Sequence, residues 1–87
     1  MIVWRVEFTS IADRDIGGFD APIRKTINNK IAWFATNYGV LKPEPLHIPF
    51  DGFYKLRVGK VRLFYTIEND TRTLLIHHIE WRDKAYK

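Results

Sequence analysis

Four cations fall within the stretch YKLRVGKVRLFY, Tyr54 to Tyr65: Lys55, Arg57, Lys60 and Arg62, with no acid among them. Apolar and polar residues alternate through it, as in a half-buried strand pair. Gly59-Lys60 suits a two-residue hairpin loop, with Gly in the first position as a type II′ turn requires. That loop fixes a register in which Val58 faces Val61, Arg57 faces Arg62, Leu56 faces Leu63 and Lys55 faces Phe64. Tyr54, Leu56, Val58, Val61, Leu63, Tyr65 and Ile67 then share one face, which must meet a core. Lys55, Arg57, Arg62, Phe64 and Thr66 share the other. Two like charges directly opposite each other cost up to about 1 kcal/mol. Keeping both arginines makes sense if an anion binds there, and phosphate matches the planar two-pronged guanidinium. The plainer account is a solvated basic face, since charged side chains also protect sheet edges from aggregation.

The charge of the whole chain points the same way. Its 87 residues carry a net charge of +4. Residues 1–51 hold six Lys/Arg and six acids, whereas residues 52–87 hold eight and four, so the excess lies wholly in the last part. Such asymmetry implies a local anion-binding surface, with nucleic acid the first candidate. The absence of cysteine excludes a disulfide framework, a Cys metal site and a Cys nucleophile. No run approaches the length of a membrane span, and the start MIVWRVEF is too charged for a signal peptide. The expectation is one soluble cytoplasmic domain over residues 1–87, with no cofactor, metal or membrane partner.

The cations need elements to hold them. Ile2–Phe8 alternates and predicts a strand with Trp4 on its apolar face. Ser10 is a possible N-cap for a short helix to Ile16, closed by Gly17-Gly18. Asp20 and Pro22 suit the start of a second helix, and Ile23, Ile27, Ile31 and Phe34 recur as one apolar stripe. Asn37 and Gly39 supply its stop. Residues 41–52 hold three of the four prolines and read as a connecting loop. Strands follow over about Phe53–Val58, Val61–Glu68 and Thr73–Ile79, with Asn69–Arg72 as a turn. The result is an α+β domain: a helical hairpin packed on a small, four-stranded, mostly antiparallel sheet.

The segments PLHIPFDGFYKLRVGKVRLFYTIE and LLIHHIEWRDKAYK resemble the RelE/ParE superfamily of toxins from type II toxin–antitoxin pairs. The carriers of the likeness are Pro45-Leu46, the run Tyr54-Lys55-Leu56-Arg57-x-Gly59-x-x-Arg62, and Arg82 followed by Tyr86. The resemblance spans essentially the whole chain. It implies the RelE-like microbial RNase-type fold, two N-terminal helices on a four-stranded sheet. In the RelE-like branch it implies a metal-independent, ribosome-dependent endoribonuclease that cuts mRNA. In the ParE-like branch it implies a DNA gyrase inhibitor without nuclease activity. In both it implies a cognate antitoxin, RelB-like, whose acidic segment lies over the basic face or replaces the C-terminal tail.

RNA cleavage by 2′-OH attack needs a proton acceptor, cations for the phosphorane and an acid for the leaving oxygen. On the resemblance, Arg62 stabilises the transition state, and Arg57 and Lys55 bind phosphate or assist proton transfer. Lys60 touches RNA backbone. Arg82 stabilises the leaving group or phosphate. Tyr86 acts as a base or stacks on a nucleotide, and Trp81 is a further RNA contact. The chain departs from its relatives at Glu80-Trp81-Arg82, where many carry Gly-His-Arg. Glu80 sets an acid among the cations, where it blunts phosphate affinity or pairs with Arg82. It also supports a third reading, a degenerate member that only pairs with an antitoxin. His77 and His78 are adjacent on a strand, so alternation predicts opposite faces, one in the core and one exposed. His47, in the proline loop, has no motif around it.

Overall fold

A computed structural model of the protein describes residues 4–38, 44–46 and 52–81. Its elements run β1 (Arg5–Phe8), α1 (Ser10–Gly17), α2 (Ala21–Asn37), β2 (Glu44–Pro45), β3 (Tyr54–Val58), β4 (Val61–Glu68) and β5 (Thr73–Trp81). They form one α+β fold with strand order β1-β5-β4-β3-β2. β1 lies parallel to β5, and the other neighbours are antiparallel. The four expected strands are present. A two-residue strand, β2, joins them at the edge from within the proline-rich loop, pairing Glu44 with Lys55 and Pro45 with Tyr54. Proline lacks an N–H, so an edge is where a sheet tolerates it.

The hairpin register matches the one set by the Gly59-Lys60 loop, Arg57 opposite Arg62 included. Gly59 has φ 59°, the left-handed value that a first turn position of type II′ demands. Val58, Val61, Leu63 and Tyr65 face inward and are buried with Ile27, Ile31 and Phe34 of α2 and with Leu74, Ile76 and Ile79 of β5. Ile23, at the start of the α2 stripe, packs at the margin of this core. Trp4 belongs there too, its ring 4.9 Å from that of Tyr38.

The helices differ from the expectation in two ways. Thr9, not Ser10, is the N-cap of α1; its hydroxyl accepts the Ala12 N–H at 3.1 Å and donates to the His77 carbonyl at 3.1 Å. Asp20 stands at the N-cap of α2 but makes no side-chain cap bond. Both helices pack on the sheet as expected, α1 against β5 and β1 and α2 against β1 and β3. β1 ends at Phe8 opposite Ile76, and α1 continues along the remainder of β5. There Asp15 accepts the Ile79 N–H at 3.0 Å, satisfying a strand-edge donor that β1 no longer reaches.

Thr9 thus ties the start of α1 to β5 with one hydroxyl. Thr9→Ala should destabilise the fold by about 1–2 kcal/mol, whereas Thr9→Ser, which keeps both bonds, should cost less than half of that. Urea unfolding of the three proteins measures the difference.

Candidate active site

The open face of the sheet carries the candidate site, and an irregularity in β5 arranges it. β4 and β5 pair regularly as Val61↔Trp81, Arg62↔Glu80, Leu63↔Ile79 and Phe64↔His78, then shift so that Tyr65 faces Ile76. His77 is the extra residue of a β-bulge. The bulge resets the alternation of faces. Leu74, Ile76 and Ile79 all stay in the core, and His77, His78 and Glu80 all come to the open face. The expectation of opposite faces for the two histidines is therefore corrected. Regular pleating would have forced either His77 or Ile79 to change sides. The sequence does carry a sign of this: Leu74 and Ile76 are two apart, whereas the next apolar residue of the strand, Ile79, is three beyond Ile76.

These residues line a cleft of ≈ 520 Å³ with Arg62, Phe64, Phe53 and Leu46. Leu46 and Phe53 reach it from either end of the loop after β2, joined by a 2.9 Å bond from the Leu46 N–H to the Phe53 carbonyl. The His77 ring meets Phe53 edge-on at 5.0 Å, and its Nε2 lies 2.8 Å from the Thr66 hydroxyl. His78 stacks on Phe64 at 6.1 Å.

A chain of charged contacts crosses the cleft. Arg62 donates from Nε (3.0 Å) and NH2 (2.8 Å) to one oxygen of Glu80. The other Glu80 oxygen lies 3.0 Å from His78 Nε2, and His78 Nδ1 lies 2.6 Å from Asp15 of α1. Among the described residues, Glu80 therefore pairs with Arg62; the expected pairing with Arg82 falls outside them. This changes the meaning of the Arg57–Arg62 juxtaposition. A like-charge pair costs up to about 1 kcal/mol, while a hydrogen bond to a charged group is worth about 1.5–3 kcal/mol. Glu80 offsets the repulsion from the neighbouring strand, so the fold needs no external anion to tolerate the two arginines.

Of the cations and the tryptophan expected at the site, Arg62 lines the cleft, whereas Lys55, Arg57, Lys60 and Trp81 do not. Lys55 is half-buried on the open face across from Phe64. Arg57 is exposed and lines a shallow groove with Thr26, Asn29, Lys30 and Trp33 of α2, at the sheet edge. Lys60 is exposed at the hairpin tip. Trp81 pairs with Val61 on the face away from the cleft, where its ring meets Phe19 edge-on at 5.2 Å, so it is not placed to stack on a ligand of the cleft. Arg82, Tyr86 and His47 lie outside the described residues. Asp15 was not anticipated; in the sequence of α1 nothing distinguishes it from Asp13. Among the described residues no three side chains converge as metal ligands, and no helix is long and apolar enough to cross a membrane.

Two groups have shifted proton affinities. Burial alone would raise the Glu80 carboxyl, but the bonds from Arg62 and His78 outweigh it and hold the group below its ordinary 4.5. Burial lowers the His77 imidazole below 6.5, so it is neutral at pH 7. Both shifts make the unfolded chain the better proton binder on acidification, so each contribution to stability is lost as pH falls. His77 acts from 6.5 down to its folded value, and Glu80 from 4.5 down to its own. Urea midpoints between about pH 3 and 8 should fall in two limbs; His77→Gln should flatten the upper and Glu80→Gln the lower.

The chain matches the family described as ParE toxin of type II toxin–antitoxin system, parDE, over residues 6–86. No curated protein sequence matches it. Among solved structures it is similar to the toxin–antitoxin complex RelBE2 from Mycobacterium tuberculosis, with TM-score 0.80 and 24% identity over 93% of this chain and 100% of that one. It also resembles the isolated E. coli RelE toxin (0.74, 14% identity, 95% and 90% covered) and a YoeB dimer from Staphylococcus aureus (0.71, 23%, 92% and 98%). At these identities the structures establish a common fold. The family match, spanning nearly all of the chain that carries the sheet, the cleft and the C-terminal motif, establishes descent: this chain belongs to the ParE toxin family of type II toxin–antitoxin systems, within the RelE/ParE superfamily.

Proposed function

We propose that this toxin is a metal-independent endoribonuclease acting on mRNA at the ribosome. The observation that carries the reading is the cleft itself, in which a guanidinium, a neutral imidazole and aromatic walls share one side of the sheet. Arg62 binds the scissile phosphate. His77 takes the 2′-OH proton as the 2′ oxygen bonds to phosphorus. The bond from phosphorus to the 5′ oxygen breaks, leaving a 2′,3′-cyclic phosphate and a free 5′ hydroxyl. The proton for that hydroxyl comes from Tyr86, and Arg82 steadies the departing oxygen; both belong to the C-terminal motif of the sequence. Lys55, Arg57 and Lys60 hold flanking phosphates, with charge rather than hydrogen-bond direction as their contribution. Phe53 and Phe64 offer faces for an unstacked base. A RelB-like antitoxin with an acidic segment neutralises the toxin by covering this basic face.

A second reading has its own support. The matching family bears the name of the ParE toxins, and Glu80 already partners Arg62. On that reading the protein inhibits DNA gyrase by binding and cuts nothing.

Induction in a bacterial host followed by primer extension on a translated message separates the two. The nuclease reading expects cuts within codons at the ribosomal A site, and expects Arg62→Ala and His77→Ala each to lower cleavage by about 100-fold or more. Growth arrest with no cuts, unchanged in Arg62→Ala and accompanied by inhibition of supercoiling with purified gyrase, would favour the second.

A further inference from the structure

Arg62 has two usable edges. Its side edge, Nε with NH2, is committed to a single Glu80 oxygen. Its end edge, NH1 with the second NH2 hydrogen, makes no hydrogen bond to a described residue. A guanidinium has five N–H donors in a fixed plane, so three remain, two of them in the forked arrangement that a phosphate fits. An arginine held by one edge has also lost most of its rotamer freedom before a ligand arrives. Glu80 is in turn not free to wander. Its other oxygen meets His78 Nε2, and His78 is held at Nδ1 by Asp15. Asp15 is the most firmly placed member, because the same oxygen accepts the Ile79 backbone N–H. His78 is also braced from the side by the parallel ring of Phe64.

The geometry points to a positioning relay, Asp15–His78–Glu80, that fixes Arg62 with its end edge turned to a phosphate in the cleft. It deepens the reading above by naming Asp15, on α1, as a positioning residue for the phosphate site. The competing physical account is charge alone, in which two carboxylates near a cation weaken its hold on any anion. The accounts differ in sign. Charge alone predicts that removing Asp15 or Glu80 tightens phosphate binding. Positioning predicts that it loosens.

The test uses the full-length toxin and inorganic phosphate as the probe, followed through the NMR resonance of the Arg62 Nε–H. Glu80→Ala should weaken phosphate binding by roughly tenfold, the worth of one hydrogen bond to a charged group. Asp15→Ala should weaken it severalfold. Asp15→Asn, which keeps an oxygen for both His78 and the Ile79 N–H, should stay within a factor of about two of the wild type, although it loses the same charge. The double variant Asp15→Ala/Glu80→Ala should be no weaker than Glu80→Ala, because the relay is already cut. Tighter binding in either alanine variant would overturn the proposal, as would equal effects of Asn and Ala at Asp15. So would multiplying effects in the double variant, or a wild-type Arg62 signal indifferent to phosphate. Circular dichroism and unfolding midpoints identify a variant that has lost its fold; Asp15→Asn against Asp15→Ala then decides at constant charge. The nuclease reading can fail in the primer-extension experiment while the phosphate result stands, and the reverse.

Discussion

The bulge at His77 is the constraint on which the rest of the sheet depends. A strand with strict two-residue alternation cannot bury Leu74, Ile76 and Ile79 together, since the last is out of step with the others. One unpaired residue resolves the conflict, at the cost of a local break in the ladder. What that break returns is an open face with two imidazoles and a carboxylate side by side. It also leaves the His77 carbonyl for Thr9, so the start of α1 is fastened at the same place. Core packing, helix docking and the chemistry of the cleft therefore share one irregularity.

The electrostatics follow from the register. Arg62 sits between two strands, with Arg57 on one side and Glu80 on the other. Repulsion across β3 and β4 is answered by attraction across β4 and β5, and the attraction is the larger because it comes with two hydrogen bonds. The pair is half-exposed on the arginine side and mostly covered on the glutamate side, 36% against 20%. That asymmetry bears on the proposed phosphate site. A partly solvated guanidinium remains available to a ligand, whereas a more covered carboxylate cannot readily leave it. The cations at Lys55, Arg57 and Lys60 lie toward the sheet edge and the hairpin tip. They suit long-range attraction of a polyanion more than contact with a reacting centre.

Helix α1 is more than a cover for the sheet. It takes over where β1 stops, caps the exposed edge of β5 through Asp15, and by the same carboxylate reaches His78. α2 does a simpler job, laying its Ile27, Ile31 and Phe34 stripe over the hairpin's apolar face. The hydrophobic core thus depends mainly on α2 and the three long strands, while the cleft depends on α1.

Much of this was written in the sequence. Alternation across Tyr54–Ile67 and the Gly59-Lys60 loop determined the hairpin, its register and its two faces, because side-chain direction in a strand depends only on position and the turn fixes position. The stripe from Ile23 to Phe34 determined α2 for the equivalent reason. The motif from Pro45 to Arg62 was sufficient to suggest the family. What the sequence left open was which strand lies beside which, and with that, what Arg62 faces on its second side. Glu80 is 18 residues away along the chain and becomes its neighbour only through pairing with β5. Asp15 and His78 are 63 positions apart (78 minus 15) and meet because β1 is short enough to leave an edge for α1. Local patterns fix local conformation; the contacts that make the cleft are long-range, and only the packing of the sheet decides them.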